Sequence, residues 1–211
     1  LRFDTYVDDA VLWTEFLQSQ QGFKKVIVLG HSEGALIGLV AAVKKSVAGY
    51  ISLAGTSRRA SVLLREQLAT KLTPELITES NIILQQLDQG TPVKKVSSAL
   101  DPLFRKSVQP YLISWFKYSP TDEIAKLTCP SLILQGTTDI QIPLTDAEAL
   151  HAARSGSKMV KIEGMNHVLK KVASDQTAQI SSYSDPDLPL HPGLMGPIFQ
   201  FIRESSGASV P

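Results

Sequence analysis

The chain has 211 residues, 43% hydrophobic and 19% charged, with a formal net charge of +1. That is enough apolar material for one sizeable globular domain, and the near-neutral balance gives no electrostatic case for nucleic acid or an anionic membrane surface. No apolar run approaches the ~20 residues of a spanning helix, and the single cysteine, Cys129, can form no internal disulfide and belongs to no cluster that would suggest zinc.

Residues 4–20 read as a helix. Asp4 or Thr5 can cap it, Asp8 and Asp9 suit its positive end, and Tyr6, Ala10, Trp13 and Leu17 recur at helical spacing and are expected to face a core. Gly22 is expected to stop it. KVIVL (25–29) is a short β-branched run and reads as a buried strand. GALIGLVAAV (34–43) reads as a helix whose small residues allow close packing on a sheet, and VAGYISLAG (47–55) as the next strand. Residues 56–120 carry several helical patterns, PELITESNIILQQL and DPLFRKSVQPYLISWF among them, and no clear strand. A strand returns at CPSLILQG (129–136), then a helix at DAEALHAA (146–153) and a last strand at KMVKIEG (158–164). A loop with Pro186, Pro189, Pro192 and Pro197 leads to a short helix near IFQFIRES. Strands alternating with helices imply an α/β fold: a parallel sheet covered on both faces. The reading is a single domain over 1–211, with 56–120 inserted as a helical lid over one end of the sheet.

Between the first strand and its helix stands Gly30-His31-Ser32-Glu33-Gly34, of the form G-x-S-x-G. Chance alone gives that pattern to roughly one chain in fifteen of this length. Its setting is more specific, because a strand, a sharp turn and a helix are what a nucleophile elbow requires. Large residues at 30 or 34 are expected to clash with the neighbouring strand and helix. The Ser32 hydroxyl would project at the positive end of the next helix, where the backbone N–H of Glu33 can donate to a developing oxyanion. The plainer alternative is a helix-capping serine in an ordinary loop.

A serine nucleophile needs a base and an acid that orients it. His31 lies inside the elbow, with its side chain expected to point away from that of Ser32; His151 sits mid-helix and His191 in the proline-rich loop. His167 follows the last strand in KIEGMNHVL, and Asp139 follows SLILQG in GTTDIQIP. Both positions lie past the C-terminal ends of strands, where open α/β sheets place their chemistry. Asp146 reads as a helix cap and Asp122 as a turn residue.

VIVLGHSEGALIG, LTCPSLILQGTTDIQIP and VKIEGMNHVLK together resemble the α/β-hydrolase superfamily, in its capped carboxylesterase and serine-aminopeptidase-like branch. The resemblance implies Ser32 as nucleophile, His167 as general base and then acid, Asp139 as its orienter and the Glu33 N–H as one oxyanion donor. It also implies upstream strands and an H-G-type loop that supplies a second donor, neither of which stands before residue 30. The chain is therefore expected to be the C-terminal part of such a fold, with strand 25–29 exposed along one edge and a possible homodimer formed through it.

The function expected is hydrolysis of a small-molecule carboxylic ester through an acyl-enzyme, with no cofactor and no metal. A peptidase or thioesterase would use the same residues, and a non-catalytic remnant that binds a ligand or partner is the alternative from another class. Leu72, Leu76, Ile82, Ile83, Leu87, Leu103, Phe104, Trp115 and Phe116 could line a pocket for an apolar acyl group, or form the lid's own core.

Overall fold

A computed structural model describes residues 1–23 and 25–207. In chain order the elements are α1 (Phe3–Ser19), β1 (Ile27–His31), α2 (Glu33–Lys44), β2 (Gly49–Leu53), α3 (Ala60–Ala69), α4 (Pro74–Asp88), α5 (Asp101–Phe104), α6 (Gln109–Phe116), α7 (Pro120–Ala125), β3 (Ser131–Gly136), α8 (Leu144–Ala153), β4 (Lys158–Ile162), α9 (Gln176–Ser182) and α10 (Met195–Ser206). They form two compact units, one of Leu1–Asp9 with Arg58–Ser119, the other of Ala10–Ser57 with Pro120–Pro211.

The second unit is built on a sheet of order β1-β2-β3-β4, every pair parallel. Ile27 is opposite Gly49, Tyr50 opposite Ser131 and Leu132 opposite Lys158. Because side chains alternate along a strand, Ile51, Leu53, Leu132, Leu134 and Ile162 point together and pack with Leu194, Ile198 and Phe201 at α10. On the opposite face lies α2. The Tyr50 hydroxyl donates to the Ala35 carbonyl at 2.7 Å, and Gly38 lets α2 settle against Val28, which a Cβ there would approach to 2.9 Å. Among the described residues β1 pairs only with β2, and Leu29 on it is exposed.

β1 starts and ends two residues later than the sequence reading placed it. The ladder with β2 continues through Gly30 and His31, which the reading assigned to the turn. The apolar stripe on α1 also differs. Phe3, Val7 and Thr14 are buried, whereas Tyr6 and Trp13 are exposed, Trp13 by 66%. The helix carries apolar residues on more than one face, Leu12 and Phe16 included, so periodicity alone could not select the buried one. α9, inside the segment read as a loop, is capped by the Asp175 carboxylate, which accepts from the Ala178 N–H.

The first unit has its own core. In α4 the buried positions are Ser80, Ile83, Leu84 and Leu87, one apolar stripe at helical spacing. Ile83, Leu84 and Leu87 pack with Leu68, Leu100, Phe104, Leu112 and Phe116. Phe3 stacks on Trp115 with ring centroids 5.9 Å apart, and its N–H donates to Ser114 Oγ at 2.7 Å. Of the residues considered for an acyl pocket, Ile83, Leu87, Phe104 and Phe116 belong to this core, Leu72, Leu76 and Trp115 pack against it, and only Ile82 and Leu103 are exposed.

Candidate active site

At the end of β1 the chain reverses from strand to helix across a single residue. Ser32 has φ 54° and ψ −122°, a region L-residues seldom enter, and α2 begins at the next residue. The Ser32 N–H is held by the Leu53 carbonyl of β2 at 2.9 Å, which anchors the strained residue to the sheet. A Cβ on Gly30 would lie 2.0 Å from the Gly34 oxygen and 2.7 Å from the Ala35 Cα, both backbone atoms that cannot rotate away. The expectation that residue 34 is equally restricted is corrected: a Cβ on Gly34 would meet nothing within 4 Å. Glu33 is the first residue of α2, so its backbone N–H lies at the positive end of that helix.

His167 lies in the turn after β4, and its Nε2 is 3.0 Å from Ser32 Oγ. Its Nδ1 is 2.9 Å from Oδ2 of Asp139, in the turn after β3. A carboxylate only accepts, so Nδ1–H donates to Asp139, and Nε2 is left with a lone pair for the serine hydroxyl. β1 and β4 are opposite edges of the sheet, about 14 Å apart at the usual strand spacing. The turn after β4 therefore has to reach back across the strand ends to bring His167 to Ser32.

Several bonds hold that turn. The Asn166 side chain is buried, donates to Ser182 Oγ at 2.7 Å and accepts from the Lys170 N–H at 2.9 Å. The Thr138 N–H donates to the Met165 carbonyl at 3.2 Å, which joins the turn bearing Asp139 to the one bearing His167. Asp139 is itself fully bonded. Its Oδ1 accepts from the N–H groups of Gln141 and Ile142, at 2.8 and 2.9 Å, and its Oδ2 also accepts from Gln135 Nε2 at 3.0 Å.

The other candidates lie elsewhere. His151 Nδ1 is bonded to Ser157 Oγ at 2.8 Å. His191 accepts from the Gly193 N–H at Nδ1 and donates from Nε2 to the Glu163 carbonyl, so both of its ring nitrogens are engaged away from Ser32. Asp146 is not a cap, since Pro143 holds that position. Its buried carboxylate accepts from Thr56 Oγ1 and from the N–H and hydroxyl of Ser57. Asp122 sits in the first turn of α7. His31 Nε2–H donates to the His167 carbonyl oxygen, 2.8 Å away. Burial pushes its imidazole below the ordinary histidine value, and the nearby His167 ring acts in the same direction.

Gln135 and His31 had no assigned role in the sequence. Gln135 was findable as the polar residue that follows the apolar run Leu132–Leu134 in a buried strand. Among the described residues no group of three or more His, Cys, Asp or Glu side chains could hold a metal ion, and no helix is long and apolar enough to cross a membrane.

A family model described as serine aminopeptidase, S33 (Hydrolase_4) matches residues 1–171, a span that contains Ser32, Asp139 and His167. The chain belongs to this family. Esterase EstD of Thermotoga maritima is 25% identical over 176 residues, which are 77% of this chain but 40% of that protein's length. Among solved structures, Est1E from Butyrivibrio proteoclasticus superposes with a TM-score of 0.61 at 16% identity, covering 98% of this chain and 72% of Est1E. Rv0554 from Mycobacterium tuberculosis gives 0.56 at 12% identity, covering 97% and 73%. With the four-stranded parallel sheet and its flanking helices, the fold is that of the α/β hydrolases.

Proposed function

We propose that the chain carries the chemistry of a serine hydrolase acting on carboxylic esters, with Ser32 as nucleophile, His167 as base and Asp139 as its orienter. The observation that carries this reading is the continuous hydrogen-bonded line from Ser32 Oγ through His167 to Asp139, at 3.0 and 2.9 Å. His167 Nε2 takes the hydroxyl proton as Oγ attacks the acyl carbon. Asp139 keeps the proton on Nδ1 and stabilises the imidazolium that forms. The Glu33 N–H, at the positive end of α2, stabilises charge on the tetrahedral oxygen. The imidazolium then protonates the leaving alcohol, and water repeats the sequence on the acyl-enzyme. Likeness to an esterase supports an ester as substrate. The family's description supports a second reading, release of an N-terminal amino acid by the same residues.

Turnover of p-nitrophenyl acetate and butyrate, beside an aminoacyl p-nitroanilide, separates the two substrates. Ser32→Ala is expected to lower kcat by several powers of ten, as loss of a triad nucleophile does, and a fluorophosphonate is expected to label Ser32. Equal turnover by both proteins, or labelling at another residue, would overturn the assignment.

A further inference from the structure

The proposed chemistry leaves His31 unused, although it precedes Ser32 in the chain and its ring lies beside that of His167. It is the last residue of β1 and stands opposite Leu53 in the parallel ladder, so its backbone is fixed by the sheet. Its Nε2 lies 2.8 Å from the main-chain oxygen of His167, and the two rings are 5.1 Å apart between centroids. Among the described residues, no other hydrogen bond reaches that carbonyl oxygen. The turns bearing Ser32 and His167 hang from opposite edges of the sheet. One bond therefore ties the residue before the nucleophile directly to the backbone of the base.

We propose that His31 is a positioning residue: its Nε2–H donates to the His167 carbonyl and sets the distance between His167 Nε2 and Ser32 Oγ. This rests on the triad reading given above. A displacement of about 1 Å between reacting groups can lower a rate ~10²-fold, so a single bond on this backbone has leverage. The donor must also stay uncharged when His167 takes up the serine proton, since two imidazolium rings at this separation repel. Burial and the His167 ring both act to keep His31 neutral, against the opposing pull of its bond to the His167 carbonyl and of Asp139. A phenylalanine would keep the ring but lose the donor. A glutamine would place an amide N–H near the position of Nε2.

The test compares wild type with His31→Phe, His31→Leu and His31→Gln. Expected for Phe and Leu is a fall in kcat of about 10- to 100-fold with KM nearly unchanged, and an equal fall in the rate of fluorophosphonate labelling. His31→Gln is expected to recover most of the loss. Active-site titration corrects each kcat for the folded fraction, so a purely structural role would leave the corrected kcat at the wild-type value and overturn the proposal. So would a glutamine variant no better than phenylalanine. Imidazole ¹H–¹⁵N spectra decide independently of turnover: the His167 signals should shift and broaden in His31→Phe and hold in His31→Gln. Unmoved His167 signals in the Phe variant would overturn the inference. A wild type that is neither labelled at Ser32 nor active would instead overturn the functional reading, and the spectra would still decide the role of His31.

Discussion

Gly136 and Met165 are packed backbone against backbone: a Cβ on Gly136 would lie 1.9 Å from the Met165 carbonyl oxygen and 2.5 Å from its carbon. Gly136 ends β3 and Met165 opens the turn that carries His167. Neither contact atom belongs to a side chain that could rotate away. Gly136→Ala must therefore push the two turns apart. The expected cost is about 1–3 kcal/mol of stability, typical of overpacking, and a loss of about 10²-fold in kcat from the displaced base. Urea unfolding and ester turnover check both. Wild-type values in both would mean that the turn after β4 yields without disturbing His167.

Asp139 accepts four hydrogen bonds, two on each oxygen. Asp139→Asn replaces one of those acceptors with an NH₂ group. If the amide nitrogen faces Gln141 and Ile142, it meets two backbone donors; if it faces His167, it forces the opposite tautomer and removes the lone pair from Nε2. The expected result is a fall in kcat of about 10³–10⁴-fold with little change in KM, together with about 1–3 kcal/mol of lost stability from donors left unpaired. A fall of less than tenfold would remove Asp139 from the proposed line.

Gln135 gives its Nε2 to the same Asp139 oxygen that His167 uses, and also to the Ile142 carbonyl, at 3.0 and 2.8 Å. Gln135→Glu exchanges that donor for a second carboxyl against Asp139. Two carboxylates in one buried site cannot both ionise freely, so one of them holds its proton to higher pH. The acid limb of kcat/KM is expected to move to higher pH, with a loss of about tenfold at neutral pH. Gln135→Met, which removes the donor without adding charge, should lower the rate less and leave the limb in place. Identical pH profiles for Glu and Met would show that charge at residue 135 is not felt at Asp139.

The turns after β1, β3 and β4 were readable in the sequence because each follows a short apolar run, and local pattern alone marks a strand end. The helical character of 56–120 was readable in the same way, from stripes such as Ser80, Ile83, Leu84 and Leu87. What pattern could not supply was any choice that depends on distant chain. The buried face of α1 is decided by Phe3 and Val7, yet Tyr6 and Trp13 repeat with the same period. Gly30 and Gly34 look equivalent in G-x-S-x-G, but only Gly30 lies against backbone. Gly136 and His31 matter through partners 29 and 136 residues away in the chain, and no local signal encodes such a pairing.

The His31 imidazole makes a final prediction about pH. Its value in the folded protein is lowered, chiefly by burial, with the His167 ring adding to the effect and the His167 carbonyl and Asp139 opposing it. Below the ordinary value of 6.5 the unfolded chain takes up a proton at this residue that the folded chain resists. Stability therefore rises with pH wherever the unfolded state binds more protons. The contribution is absent as a penalty above about pH 6.5 and grows as pH falls from there, until the folded-state value is reached. His31→Gln cannot titrate and should lack this component. Thermal unfolding of wild type and His31→Gln between pH 7.5 and pH 5 is the measurement, and the Tm difference between them should shift in favour of the glutamine variant as pH drops. A constant Tm difference across that range would mean that folded His31 is protonated as readily as it is in the unfolded chain, and that its ring is not held neutral beside His167.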